Sequence, residues 1–327
     1  MKSEFKDYLL AITNSSDCIE AEVIQSLWSG YGKISRYRLI DSSYKTAVVK
    51  FISLGESGEH PRGWDSDNSH IRKVRSYEVE THWYEHYNKR CNAQCRTPKF
   101  LGSYSEGKNQ WIILEDLDLG FPIRKQHLEI PEVKVCLKWL ANFHAAFIGQ
   151  KLNGLWEVGT YWHLETRPDE LNNLEHQELK LKAHLIDEAL NNCTFQTIVH
   201  GDAKVANFCF SANGQEVAAV DFQYVGGGCG IKDVAYFLGS CLTSQECEKY
   251  ETELLDYYFL ELKKGLDSER SEAFMIEIDF SELHREWTDM YPMACADFMR
   301  FMLGWMPSHQ KINDYNLKLM NAVLTGF

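Results

Sequence analysis

The chain has no apolar run of the ~18 residues that a membrane-spanning helix requires, so none is expected to cross a bilayer. Its start, Met1-Lys2-Ser3-Glu4-Phe5-Lys6-Asp7, lacks the pattern of a secretion signal. Ten cysteines fall at irregular spacings, without the framework of a disulfide-stapled fold. This fits reduced thiols and a cytoplasmic setting. Cys91 and Cys95 stand four apart with no second ligand pair in register, so no zinc site is expected there. Basic charge is in deficit: 34 Lys and Arg against 47 Asp and Glu give a formal net charge of −13. That argues against nucleic acid and anionic membrane as partners. It is compatible with a cationic small ligand without pointing to one. The chain shows no internal repeat, no low-complexity tract and no signature of an oligomeric state. Gly226-Gly227-Gly228 does not follow a strand with G-x-G-x-x-G spacing, so it reads as a flexible or close-approach segment and not as a phosphate cradle.

What is present suits two lobes: 327 residues, 44% of them hydrophobic, allow a large core. Apolar periodicity predicts helix over the first 30 residues, with Tyr8, Leu9, Ile12, Ile19, Val23, Ile24 and Leu27 at helical spacing. Strands follow over 31–40 and 46–53, an irregular loop over 54–69, a helix over 71–90, and strands over 100–105 and 110–114. Beyond these, helices are predicted over 130–149, 174–191, 233–242, 246–264, 281–302 and 313–324. The fold class is therefore α+β, with a small antiparallel-sheet lobe (1–115) and a larger, mainly helical lobe (116–327). A cleft between them is the expected ligand site.

The densest chemistry lies at Val199-His200-Gly201-Asp202-Ala203-Lys204-Val205-Ala206-Asn207-Phe208 and Val220-Asp221-Phe222-Gln223. Phe208–Phe210 and Glu216–Phe222 read as strands joined through Asn213-Gly214, a type I′ hairpin signal. With those two as the turn residues, partners sum to 427. Asn207 then faces Val220 and lies beside Asp221. Two oxygen-bearing side chains at the open end of a hairpin suit Mg2+. Asp202, on the loop after the strand 197–200, is placed to take a proton from a hydroxyl. Lys50 shares a strand face with Val48 and Ile52 and needs an anion there or must snorkel; nucleotide phosphates would supply one. Tyr77, Glu80, Tyr84 and Tyr87 share a helix face, so Glu80, not Glu78, is the expected partner of Lys50. The strand Trp111–Leu114 runs into Glu115-Asp116-Leu117, where the backbone of Glu115 and Leu117 could meet an adenine edge. Asp233 reads as a helix N-cap that also could fix the loop around Asp202. Trp287, Asp289, Tyr291, Asp297 and Trp305 fit either a core helix or a cation-binding box, and the core helix is the simpler reading.

Together these motifs resemble the aminoglycoside phosphotransferase and choline kinase superfamily, and within it the ecdysteroid-kinase-like branch. The carriers are Val49-Lys50-Phe51, Glu80 with Tyr84, Leu114-Glu115-Asp116-Leu117, Leu140-Ala141-Asn142-Phe143-His144, His200-Gly201-Asp202 with Asn207, Asp221-Phe222-Gln223, and Asp233-Val234-Ala235-Tyr236-Phe237-Leu238. The resemblance implies a bilobal protein-kinase-like fold and an ATP- and Mg2+-dependent kinase that phosphorylates a hydroxyl of a small molecule. In it Asp202 is the catalytic base, Asn207 and Asp221 hold Mg2+, Lys50 contacts the α- and β-phosphates, and Glu80 holds Lys50. The turn Asp41-Ser42-Ser43-Tyr44 stands where protein kinases have a Gly-rich loop, which puts Ser42, Ser43 and Val48 against the nucleotide. Lys204 either touches the γ-phosphate or is a solvated loop lysine. Protein kinase activity is disfavoured by the lack of Asp-Phe-Gly and Ala-Pro-Glu. The alternative is a catalytically silent nucleotide-binding pseudokinase or scaffold, against which the retention of Lys50, Asp202, Asn207 and Asp221 stands.

Overall fold

A computed structural model describes residues 3–27, 30–54, 67–269 and 278–326. Most of the loop expected over 54–69 lies outside the described residues. The first helix, α1 (Ser3–Thr13), stops far short of residue 30. Asn14 takes a left-handed φ of 48°, and the Ser15 amide returns to the Leu10 carbonyl at 3.0 Å, which ends the helix. The chain then enters a strand, β1 (Asp17–Ser26), that pairs antiparallel with β2 (Gly32–Ile40). The helix expected over 14–30 is thus wrong. Ile19, Val23 and Ile24 are all exposed on the sheet edge, so cross-strand pairing and not burial of an apolar stripe decides the conformation.

Next come β3 (Thr46–Ser53), α2 (Asp67–His86), β4 (Phe100–Glu106) and β5 (Asn109–Glu115). The five strands form one antiparallel sheet in the order β1-β2-β3-β5-β4. Alternation on β3 divides its side chains as expected. Ala47, Val49 and Phe51 pack with α1 in one apolar cluster, while Ile52 joins the main core on the other face. After the two-residue β6 (Ile123–Arg124) comes α3 (Ile130–Phe147), which buries Val133, Leu137, Leu140, Phe143 and Phe147.

The remainder comprises α4 (Pro168–Asn173), α5 (Gln177–Asn191), the short strands β7 (Thr197–Val199), β8 (Phe208–Phe210), β9 (Val217–Ala219) and β10 (Gly226–Gly228), and then α6 (Ile231–Cys241), α7 (Ser244–Glu269), α8 (Phe280–Trp305) and α9 (Asp314–Thr325). β6, β8 and β9 make one small sheet, β7 and β10 another. Thus Gly226-Gly227-Gly228 is not a loop but a buried strand, paired with Thr197–Val199. A Cβ at Gly226 would stand 2.3 Å from the Trp156 carbonyl, so the close-approach part of the reading holds. The architecture is the small antiparallel lobe and larger helical lobe expected. Among the described residues, no helix is long and apolar enough to cross a membrane.

Candidate active site

Strand β3 and helix α2 set the first group. Tyr77, Glu80 and Tyr84 are buried, while Glu78 is exposed beside Arg75. Glu80 Oε2 lies 2.6 Å from Lys50 Nζ, and Asp221 Oδ1 lies 3.7 Å from the same ammonium. Burial works against the charge on Lys50, but the Glu80 and Asp221 carboxylates outweigh it and raise the lysine above its ordinary range. Phe222 ties this group to the helix. It is fully buried, stacks on Trp83 at 4.8 Å and meets Tyr84 edge-on.

The loop after β7 sets the second group. Gly201 has φ 79°, and a Cβ there would stand 2.1 Å from the Tyr224 carbonyl, so the turn that presents Asp202 requires glycine. His200 donates from Nε2 to the Val220 carbonyl at 3.1 Å and accepts the Asp202 amide on Nδ1 at 3.3 Å, which fixes its tautomer. Asp202 Oδ2 accepts from Lys204 Nζ at 2.8 Å and from Asn207 Nδ2 at 3.1 Å, and its Oδ1 accepts from the Tyr236 hydroxyl at 3.1 Å. Lys204 is therefore not a purely solvated lysine; it pairs with Asp202. Asp233 is not an N-cap either, because Gly230 holds that position in α6. The Asp233 carboxylate is buried and accepts the His200 amide at 2.6 Å, the Gly201 amide at 3.0 Å and His144 Nε2 at 3.1 Å.

The hairpin joins the two groups. Phe208 faces Ala219, Cys209 faces Ala218 and Phe210 faces Val217, the expected register, and the Val220 amide donates to the Asn207 carbonyl at 3.0 Å. The turn itself differs. Ser211 pairs with Glu216, and only Gly214, not Asn213, takes a positive φ, so the connection is longer than a type I′ turn. Asn213 instead caps it, accepting from the Ser211 hydroxyl and the Gln215 amide. Asp221 has φ 70°, a strained value for a residue with a side chain. Its Oδ1 is buried without a hydrogen-bond donor. Lys50, Lys204 and Lys73 hold its carboxyl below the usual range against the upward push of burial. Asn207 spends its Nδ2 on Asp202, to the backbone oxygen at 2.8 Å and to the carboxylate, so its own oxygen is the atom left for a cation. An orphaned carboxylate oxygen and a free amide oxygen lining one cleft are donors of the kind a hard divalent ion takes. Among the described residues no cluster of three His, Cys, Asp or Glu could hold a metal alone, so such an ion would draw further ligands from water and phosphate.

The site is thus a carboxylate on a glycine turn, two oxygen donors and a buried lysine–glutamate pair. Residues 158–270 match the ecdysteroid kinase-like family. That stretch holds Asp202, Asn207, Asp221 and Asp233. A likeness of fold extends along the whole chain. The chain is similar to a structure of an amicoumacin kinase in complex with AMP-PNP, Ca2+ and Ami, at 11% identity and a TM-score of 0.50, over 99% of this chain and 92% of that one. Weaker likenesses are to an ethanolamine kinase of Plasmodium vivax (14% identity, TM-score 0.46, 92% and 80% covered) and to an aminoglycoside-3'-phosphotransferase of type VIII (16%, 0.42, 89% and 100%). No curated protein sequence matches the chain.

The two groups open onto a cleft of about 1000 Å³. Val48, Lys50, Glu80, Glu115, Leu117, Asp202, Lys204, Asn207 and Asp221 all line it. Ser42 and Ser43 do not, among the described residues. The Ser42 hydroxyl donates to the Thr13 carbonyl at 2.6 Å, behind the sheet. The error follows from missing β1. Besides β3 and β5, the strands β1 and β2 line the cleft, through Glu22, Val23, Ile24, Gln25, Ile34 and Arg36, so the covering hairpin lies one turn earlier than expected. At the lobe junction the Leu117 carbonyl already accepts the Gly120 and Phe121 amides, and the Glu115 carboxylate is taken by Arg96 at 2.5 Å. These bonds occupy the Leu117 carbonyl and the Glu115 side chain, not the Glu115 carbonyl or the Leu117 N–H expected to meet an adenine edge. Arg36 clamps the junction to β2, with Nε 2.6 Å from Asp116 Oδ2.

Sequence reasoning missed Tyr236, Lys73, Arg36 and Lys311. Tyr236 stood within a quoted motif, but its hydroxyl contact with Asp202 is made across 34 residues. Lys73 gave the one legible signal, lying one α-helical turn before Tyr77. It reaches Gln223 Oε1 at 2.7 Å. Trp287, Tyr291 and Asp297 are buried, with Asp297 bound to Arg300 at 2.8 Å, so they make the core of α8. Trp305 alone of the residues weighed there lines the cleft, and Asp289 is exposed.

Proposed function

We propose that the chain is an ATP- and Mg2+-dependent small-molecule kinase of the cytoplasm that transfers the γ-phosphoryl group to a substrate hydroxyl. The observation that carries it is the convergence of Asp202, Asn207, Asp221 and the Lys50–Glu80 pair on one cleft. Lys50, held by Glu80, would neutralise the α- and β-phosphates, and Val48 and the Leu117 amide would meet the base. Asp221 Oδ1 and the Asn207 oxygen would hold Mg2+, which when bound supplies charge neutralisation to the β- and γ-phosphates. Asp202 takes the hydroxyl proton as the acceptor oxygen bonds to the γ-phosphorus. The bond from that phosphorus to the β,γ-bridging oxygen breaks, and ADP leaves. Lys204, between Asp202 and Asp221, steadies both charges. All ten cysteines are free thiols, which supports a reducing compartment.

The test is thermal denaturation with and without ligand. Millimolar Mg·ATP should raise the melting temperature of the wild-type chain, and ATP with EDTA should raise it less. Asp221→Asn removes the orphaned carboxylate, so its affinity for Mg·ATP should drop at least about tenfold. A wild type whose melting temperature does not respond to Mg·ATP would refute the reading.

A further inference from the structure

Building on the kinase reading, we propose that the acceptor is an anionic molecule with an aromatic or otherwise flat apolar body, its negative group held by Lys311. Tyr161, Arg167, Tyr236, Phe301, Trp305 and Lys311 line the cleft, and Tyr236 and Lys311 tie this wall to Asp202. Lys311 Nζ lies 4.5 Å from the ring centre of Tyr236, whose hydroxyl bonds Asp202, and 5.4 Å from that of Phe298. Its electrostatic neighbours are Asp202, Lys204 and Cys241, whereas those of Lys73 are Tyr224, Asp221, Lys50 and Glu80. Lys73 therefore belongs with the donor phosphates, and Lys311 with the acceptor.

Charge on this wall is not balanced. Among the described residues Lys311 forms no ion pair within 4.0 Å, and Asp202, the carboxylate that acts on it electrostatically, is already paired with Lys204. Arg167 has Glu170 at 3.0 Å, but that pair is internal and buried. Asp297, an acid that could have greeted a cation, is neutralised in the core by Arg300. Burial pushes the Lys311 ammonium down to about 8 against the pull of Asp202, so an anion beside it would relieve an uncompensated charge, and a cation would worsen it. The net charge of −13 over the chain is thus no guide to this wall. The apolar part of the claim rests on the rings: Tyr161 meets Phe301 edge-on at 5.3 Å, and Phe301 stacks on Trp305 at 5.5 Å.

Three probes share one skeleton and differ in charge: 3-phenyllactate, its methyl ester, and phenylalaninol. Binding to the full chain is measured by calorimetry, with and without Mg·AMP-PNP. The acid should bind at least about tenfold more tightly than the ester, and phenylalaninol most weakly. Lys311→Met should erase the acid preference and leave Mg·ATP affinity unchanged, and Lys311→Arg should restore the preference. Equal binding of acid and ester, tighter binding of phenylalaninol, no binding of any probe at millimolar concentration, or a preference that survives Lys311→Met would each overturn the proposal. A fall in Mg·ATP affinity in Lys311→Met would also overturn it, by assigning the lysine to the donor. Failure of the kinase reading is a separate result: the wild type would bind no Mg·ATP, while the comparison of acid with ester without nucleotide still decides this proposal.

Discussion

Asp202→Asn should lower turnover about 10²-fold or more while Mg·ATP affinity stays within about threefold of wild type. The substitution keeps size and hydrogen-bonding capacity and removes the carboxylate proposed to accept the hydroxyl proton. The geometry explains why the nucleotide end should survive it. Asn207 is anchored to the backbone oxygen of residue 202 at 2.8 Å, independently of that side chain, so its own oxygen stays where a cation would find it. Tyr236 loses a carboxylate partner but can turn to accept from the new amide. Lys204 loses its ion pair, yet Asp221 remains among its electrostatic neighbours. The measurement is steady-state turnover with a working acceptor together with Mg·ATP titration on the same preparations. Wild-type turnover in the variant would remove Asp202 from the role of base. A parallel loss of nucleotide affinity would show that it acts on the metal site instead.

The parts of this site that were legible in the sequence are those whose partners are local or fixed by a period. Lys50 lies in the cleft because alternation on β3 puts it there, and Glu80 faces it because helical spacing sets it on the stripe of Tyr77 and Tyr84. The hairpin register followed from Asn213-Gly214 even though the turn is longer than expected, since Ser211 and Glu216 preserve the same pairing sum. The failures arise where packing between elements, not a local period, decides the outcome. The strand β1 exposes its apolar residues, so its conformation comes from pairing with β2, and the misplaced role of Ser42 and Ser43 descends from that single error. Tyr236 and Lys311 reach Asp202 only through the packing of α6 and of the segment between α8 and α9. The aromatic and acidic residues of α8 looked like candidate ligands because sequence does not tell a buried Asp297–Arg300 pair from a solvent-facing acid.

Asp233→Ala should destabilise the chain by on the order of 4 kcal/mol and abolish turnover without any contact between residue 233 and a ligand. Asp233 sits at the third position of α6, fully buried, beneath the loop that carries His200, Gly201 and Asp202. One carboxylate oxygen takes the His200 amide and His144 Nε2, and the other takes the Gly201 amide. Truncation leaves two buried backbone donors without their acceptor at about 1–3 kcal/mol each, and strands His144, whose Nδ1 is held by Tyr258 at 2.8 Å. Asp233→Asn should be only partly better, because an amide offers one oxygen and would turn its NH2 group toward one of the donors. The loop has no slack to absorb the loss: Gly201 is already packed against the Tyr224 carbonyl, and any shift of that turn carries Asp202 with it. Chemical denaturation gives the stability change, and turnover under conditions where the variant is still folded gives the positioning effect. An Asp233→Ala chain as stable as wild type would mean that water replaces both acceptor oxygens. Wild-type turnover in a folded Asp233→Ala chain would mean that the Asp202 turn is held by Gly201 and the β7–β10 pairing alone.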